Sequence, residues 1–382
     1  MKALVFERSL PRFAAARVAG TFAPGGGARV GPLRLADVDP PKLPGPDWRR
    51  VRPLLAGICG SDLATVDGQS SRYFEPIVSF PFVPGHEVVG ELDDGTRVVV
   101  RPTLSCSARG VQPPCSQCAS GNTNRCERTA FGHLEPGLQT GYCADTGGGW
   151  SLSLVAHESQ LHAVPDGMSD EAAVMVEPTA CAVHAALTTA ASEFAVIGAG
   201  TLGLCTVAAL RSLMTPHVLI AAAKHPAQRQ LATELGADVV VEPGGLARAV
   251  RRAVPGTMLA GEQLTSGVDA VFDCVGSESS LELALQVVAP GGTIVLLGMP
   301  GRVSVDLTSL WHREVSVRGA YTYNAGDFAK AFDLVQDARL ERLVAALYPL
   351  ERWREAIEHA ADAGRRGAVK IAFDLRDERG LS

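Results

Sequence analysis

Several features this sequence lacks narrow its function before any motif is read. Nowhere do eighteen apolar residues run together, and stretches such as residues 218–223 and 293–297 have only strand length, which excludes a membrane-crossing helix. No run of Lys and Arg reaches the length of a basic tail and the net charge is -6, so the electrostatic footprint of a nucleic-acid binder is missing. The opening residues Met1 to Arg8 turn charged after four apolar positions, too few for the apolar region of a signal peptide, and a cytoplasmic protein is expected. There is no internal repeat and no long low-complexity tract. Disulfides are not expected among the nine cysteines of such a chain, and four of them crowd between positions 106 and 126, where a metal is favoured.

The chain has 382 residues, 46% of them hydrophobic, enough for two domains with substantial cores. Gly/Pro-rich stretches at residues 22–28 and 40–46 predict a surface excursion built of loops. From about 50 to 165, short β-rich runs such as residues 98–100 and 153–155 alternate with turns, which predicts a compact, irregular, mostly-β domain. Ser169 is a candidate N-cap for a helical connector opening with Asp170 and Glu171. Beyond 194 the texture becomes strand then helix: strands at 194–198, 217–223, 238–241, 268–275 and 293–298, and helices to about Arg211, at 226–235 (stopped by Gly236) and at 280–288. That alternation is α/β and predicts a doubly wound parallel sheet. The tail offers a helix at 327–336 and an apolar run at 369–373 that returns to the first domain.

Gly198-Ala199-Gly200-Thr201-Leu202-Gly203 follows an apolar strand and opens an apolar helix, the setting in which this glycine spacing binds a dinucleotide. Gly198 permits the tight turn, Gly200 lets the backbone approach a pyrophosphate, and Gly203 allows close helix packing, while the helix start at Thr201 and Leu202 offers N–H groups to phosphate. NAD enzymes place an acidic residue at the end of the second strand. Here residues 218–223 are followed by Lys224 and His225 instead, which suit a 2'-phosphate, so NADP is expected over NAD.

Three further fragments lie far apart: Gly57-Ile58-Cys59-Gly60-Ser61-Asp62, Pro84-Gly85-His86-Glu87 and Val176-Glu177-Pro178. Together they supply a thiolate, an imidazole and a carboxylate, the mixed ligands of a catalytic zinc that keeps one position open. With the glycine loop they make the chain resemble, over nearly its whole length, the zinc-containing medium-chain dehydrogenase/reductase superfamily, in its sorbitol, threonine and glucose dehydrogenase branch.

The resemblance implies a GroES-like catalytic domain from residues 1–180 and 325–382, an inserted Rossmann domain at 181–324, and a substrate cleft between them. It implies hydride transfer between a secondary alcohol, polyol or amino-polyol and NAD(P), giving the ketone, in a homodimer or homotetramer without nucleic-acid or membrane partners. Cys59 and His86 match zinc ligands, Glu177 matches the carboxylate ligand, and Glu87 either binds the zinc or sits just behind it. Ser61 matches the hydroxyl of a proton relay, but Ala64 stands where threonine dehydrogenases carry a relay histidine, which disfavours threonine as substrate. Cys106, Cys115, Cys118 and Cys126 match a structural zinc site, with residues 107–114 inserted after the first ligand and expected to loop out at small entropic cost. Gly298 and Tyr321 fall on the cofactor side, and Thr322 replaces the arginine of sorbitol dehydrogenases. Trp150, Cys181, His184 and Cys205 read as packing. The rival readings are a zinc-free quinone or enone reductase, which would lack Cys59 and His86, and a dinucleotide-binding protein without turnover.

Overall fold

A computed structural model describes residues 1–261, 263–298 and 301–377. The chain forms two compact units. The first holds Met1–Glu177, Arg339–Ala363 and the chain from Lys370 on, and the second holds Pro178–Ala338 and Gly364–Val369.

The first unit is built on a seven-stranded, mainly antiparallel sheet. Trp48–Gly57 lies at its centre, paired with Val88–Leu92, Leu154–His157 and the late strand Lys370–Asp374. Val51, Val88, Val98, Val100, Leu154 and Ala156 pack together beneath it, each valine contributing about 1.5–3 kcal/mol by leaving water. The expected return of the last apolar run is an antiparallel pairing that sets Ala372 opposite Gly57. Ser169 caps its helix by accepting from the Ala172 N–H.

Residues 40–46 are irregular, as their prolines predict, but the earlier Gly-rich stretch is not a loose surface loop. Leu10–Phe22 is a helix with Pro11 in its first turn, where a missing N–H costs nothing, and Gly27–Val30 is a second, short one. Between them the buried Asp67 carboxylate accepts the N–H groups of Gly25 at 2.8 Å and Gly27 at 2.9 Å. A Cβ on Gly27 would stand 2.1 Å from the Val66 carbonyl oxygen, so glycine serves close packing here.

In the second unit six parallel strands run in the order Val239–Val241, Val218–Ala222, Glu193–Ile197, Val268–Asp273, Val288–Leu296, Ser316–Gly319. The chain order reverses between Glu193–Ile197 and Val268–Asp273, the place where doubly wound sheets bind ligands. Helices Thr201–Leu213, Pro226–Glu234 and Glu278–Val287 fall where the alternation places them, and Leu246–Ala253 is an additional one. Helix Ala325–Asp337 belongs to this second unit, whereas the expected boundary at 324/325 assigned it to the first. Its hold is specific: Asp327 takes a 2.7 Å contact from the His184 ring, and Phe328 packs on Tyr323 with centroids 5.1 Å apart. The last five positions of the expected 325–382 segment lie outside the described residues. Among the described residues no helix is long and apolar enough to cross a membrane.

Candidate metal and cofactor sites

Cys59 is the N-cap of helix Gly60–Val66, and the helix geometry presents its sulfur. Asp62, three residues on, accepts the Cys59 N–H at 3.0 Å with one carboxylate oxygen. The other oxygen lies 3.4 Å from His86 Nδ1, an electrostatic contact longer than a formed hydrogen bond, and receives the Tyr142 hydroxyl at 3.2 Å. His86 follows Gly85, whose φ of +97° and closeness to the Trp150 ring, 2.5 Å from a built Cβ, leave no room for a side chain. The Cys59 sulfur, a His86 ring nitrogen and a Glu87 carboxylate oxygen all lie within 4.8 Å of one another.

Lys370 reaches this group from the last strand. Its ammonium is 1% exposed, pairs with Glu87 and donates to the Ile58 carbonyl at 3.3 Å. Gly57 makes the pair possible, since a Cβ there would stand 2.0 Å from Glu87 Oε2. Glu177 is buried at the start of helix Val176–Ala186, and its charge acts on Lys370, but its oxygens are not part of the close trio. Burial works against the His86 imidazolium, yet the Asp62 charge, followed by Cys59, holds that ring well above the usual histidine range. Asp62, Glu87 and Glu177 are buried carboxyl groups gathered with the His86 ring and the Cys59 thiol, a donor set that suits a cation.

Ser61 lies two residues after Cys59, with its hydroxyl in the neighbourhood of the Tyr142 phenol. Thr65 Oγ1 lies 3.4 Å from that phenol and 2.8 Å from Ser70 Oγ, which makes a chain of hydroxyls. Burial, and then the Asp62 charge, push the Tyr142 phenol well above its ordinary range, so it stays protonated and can donate.

The sulfurs of Cys106, Cys115, Cys118 and Cys126 lie within 4.8 Å of one another, with Cys106 and Cys126 3.7 Å apart. A tetrahedron with metal–sulfur bonds of about 2.3 Å has edges of about 3.8 Å. A disulfide needs about 2.05 Å, and all four thiols are free. Backbone N–H groups of Cys115, Glu127 and Arg128 point at the sulfurs of Cys106, Cys115 and Cys126 at 3.4 to 3.5 Å. Burial opposes the Cys115 thiolate, but the N–H donors of Glu127 and Cys118 and the neighbouring thiols outweigh it and bring this cysteine to about 7. The inserted residues 107–114 do not simply loop out. Ala108 and Arg109 are fully buried, and the Arg109 guanidinium donates to the carbonyls of Leu104, Phe131, Leu134, Glu135 and Gly137.

In the second unit Gly198 has a φ of +89°, and a Cβ on Gly203 would lie 1.8 Å from the Gly198 carbonyl oxygen. The side of Gly200 is open, with nothing within 4 Å of a built Cβ. Helix Thr201–Leu213 starts there, and the N–H groups of Thr201, Leu202 and Gly203 in its first turn have no partner within the helix. The cradle therefore fits a pyrophosphate. Asp273, fully buried, shapes the facing turn by accepting from Val275 at 2.9 Å, Gly276 at 3.0 Å and Ser280 at 2.8 Å. Gly298 closes on that turn, 2.4 Å from Val275 if given a Cβ. Lys224 is exposed, His225 occupies the N-cap position of helix Pro226–Glu234 without a side-chain cap bond, and Tyr321 is half-exposed beside Thr322, which has a φ of +47°.

Comparison with known proteins agrees with both halves. Residues 45–166 match the model for the alcohol dehydrogenase GroES-like domain, and residues 201–337 match that for a zinc-binding dehydrogenase. The chain belongs to the zinc-type medium-chain alcohol and polyol dehydrogenase family. Among its relatives are an L-idonate 5-dehydrogenase of Vitis vinifera and a sorbitol dehydrogenase of Arabidopsis thaliana, 26% and 28% identical. Each alignment covers 90% of this chain and 93% of the relative. The fold is shared with acetophenone reductase from Geotrichum candidum NBRC 4597 in complex with NAD, at a TM-score of 0.72 and 24% identity, over 91% of this chain and 95% of that one.

Within this dehydrogenase the sequence reading missed Asp62, Tyr142 and Lys370 as partners of the metal motifs. Asp62 stands inside a quoted motif and was the one recoverable from spacing; Tyr142 and Lys370 carry no local signal. Trp150 is fully buried, bonds the Gly57 carbonyl at 3.2 Å and packs edge-on against Phe373. Cys205 is buried with Thr179, and His184 is spent on Asp327. Cys181, on the same helix as His184, is half-buried.

Proposed function

We propose that this dehydrogenase oxidises a secondary alcohol or polyol to the ketone with NADP, at a zinc held by Cys59, His86 and the carboxylates Glu177 and Glu87. The observation that carries this reading is the meeting of Cys59, His86 and Glu87 within 4.8 Å, with His86 and Glu87 buried. A zinc ion held there would supply Lewis acidity toward the alcohol oxygen, and a bound nicotinamide would supply the hydride acceptor.

The protein's own groups do the rest. Asp62 faces His86 Nδ1 and so leaves the other ring nitrogen for the metal. Lys370 engages one oxygen of Glu87 and restrains that carboxylate, and Glu177 is the third ligand in this reading. Ser61 takes the alcohol proton, and Tyr142, Thr65 and Ser70 continue the path that Ala64 cannot provide. Tyr142→Phe removes a link in that path; kcat is expected to fall about 10- to 100-fold with zinc content unchanged. An unchanged kcat and solvent isotope effect would remove Tyr142 from the relay.

Lys224 and His225, with no carboxylate at the strand end, favour NADP. Comparing kcat/KM for the two cofactors across alcohols, polyols and amino-sugar alcohols tests this choice together with the substrate class, and a strong NAD preference would overturn the NADP assignment. The edge strand Ser316–Gly319 is wholly exposed, with Val317 and nearby Leu307 and Trp311 open to solvent, and an unprotected apolar edge suits pairing with a second copy. Light scattering is expected to give an oligomer that Val317→Lys dissociates; a monomeric parent protein would contradict this.

A further inference from the structure

After Ala363 the chain spends six residues, Gly364–Val369, in the second unit before its final strand. Those residues lie against the turn that follows strand Val218–Ala222. A Cβ on Gly364 would stand 2.3 Å from His225 Cδ2, 2.8 Å from His225 Nε2 and 3.1 Å from Gln228 Nε2. Three residues later, a Cβ on Gly367 would meet Ala227 at 3.9 Å. The segment is thus anchored at both glycines across the first turn of helix Pro226–Glu234, and Arg365 and Arg366, both exposed, fall between the anchors. Consecutive Cα atoms are about 3.8 Å apart, so both arginines start within about 8 Å of the Gly364 Cα, which touches the imidazole.

The two segments themselves carry charge of one sign. Residues 223–233 and 364–369 contain no acidic side chain, and they contribute Lys224, His225, Arg229, Arg365 and Arg366. Arg229 holds the turn itself, donating to the carbonyls of Ala223 at 3.2 Å and Lys224 at 2.9 Å while pairing with Glu242 at 3.2 Å. His225 caps no N–H of its helix with its ring, which is left facing the returning segment. Guanidinium groups bind phosphate oxygens two at a time, an arrangement that an isolated lysine cannot match.

We propose that Arg365 and Arg366 form the second wall of a phosphomonoester subsite whose first wall is Lys224 and His225, and that its ligand is the 2'-phosphate of the cofactor. Gly364 is the enabling residue, because any side chain there would push the imidazole out of the subsite. The proposal rests on the NADP reading given above, and the test separates the two.

Calorimetric titration of the full chain with adenosine 2',5'-bisphosphate and with 5'-AMP isolates the 2'-phosphate without turnover, and inorganic phosphate serves as a third ligand. The parent protein is expected to bind the bisphosphate more tightly than 5'-AMP. Arg365→Ala combined with Arg366→Ala is expected to weaken the bisphosphate about tenfold or more, leaving 5'-AMP affinity, zinc content and melting temperature unchanged. The paired Arg→Lys variant is expected to recover part of the loss. A bisphosphate preference that survives in the Ala variant would overturn this subsite while leaving the NADP reading standing. A parent protein that binds 5'-AMP as tightly as the bisphosphate would overturn both. Tight inorganic phosphate binding that the Ala variant abolishes, without any effect on the bisphosphate, would assign the arginines to free phosphate and overturn the cofactor assignment.

Discussion

Lys370 has left water almost completely, and its ammonium is committed to Glu87 and the Ile58 carbonyl. Burial disfavours its charged form, but the Glu87 charge, with Cys59 and Glu177 adding to it, keeps the ammonium protonated. Removing one partner of such a pair strands the other charge in a low-dielectric interior. Lys370→Met is therefore expected to destabilise the first unit by about 3–5 kcal/mol in urea unfolding, and Lys370→Met with Glu87→Gln to regain most of that loss. A second residue sets a pH dependence. Burial, and then the nearby Arg101 charge, push His162 down to about 4. The unfolded chain protonates this ring near 6.5, so its contribution is complete above that pH and is lost as pH falls toward 4. Relative to the parent protein, His162→Gln should flatten the stability profile between those limits; identical profiles would show that the folded protein does not hold this ring neutral there.

Asp67 organises a whole element. It ends helix Gly60–Val66 and ties down the turn between Leu10–Phe22 and Gly27–Val30. Asp67→Ala leaves two buried N–H groups without their acceptor and is expected to cost about 1–3 kcal/mol, read as a lowered unfolding midpoint. The helical hairpin it holds was not legible in the sequence, for a physical reason. Helix Leu10–Phe22 buries only Ala16 and Gly20, so it shows no apolar stripe, and the glycines after it read as loop. In the second unit, by contrast, five of the six strands were legible, because buried parallel strands are continuous apolar runs bounded by glycines and caps, whereas Ser316–Gly319 is exposed along its length and shows no such run. The metal motifs were legible as residue types. Their support was not, since Glu87 and Lys370 lie 283 positions apart and meet only through the pairing of Lys370–Asp374 with Trp48–Gly57. Insertion 107–114 shows the same limit: spacing told of extra chain, but not that Arg109 would turn inward to gather carbonyls.

At the scale of the whole molecule, the account requires two metal centres within the first unit, with different duties. On that account the four-cysteine site would be closed and serve stability, and the site at Cys59 and His86 would keep a position for substrate. Chelation should separate them, with activity lost when the open site empties and the melting temperature falling when the closed one does. The most direct test is elemental analysis of zinc per chain, paired with cofactor reduction, in the parent protein and in Cys59→Ser and Cys118→Ser. The account predicts two zinc ions in the parent protein, about one in each variant, and abolished hydride transfer in Cys59→Ser alongside a native melting temperature. A Cys59→Ser protein that keeps both zinc ions and full activity would contradict it.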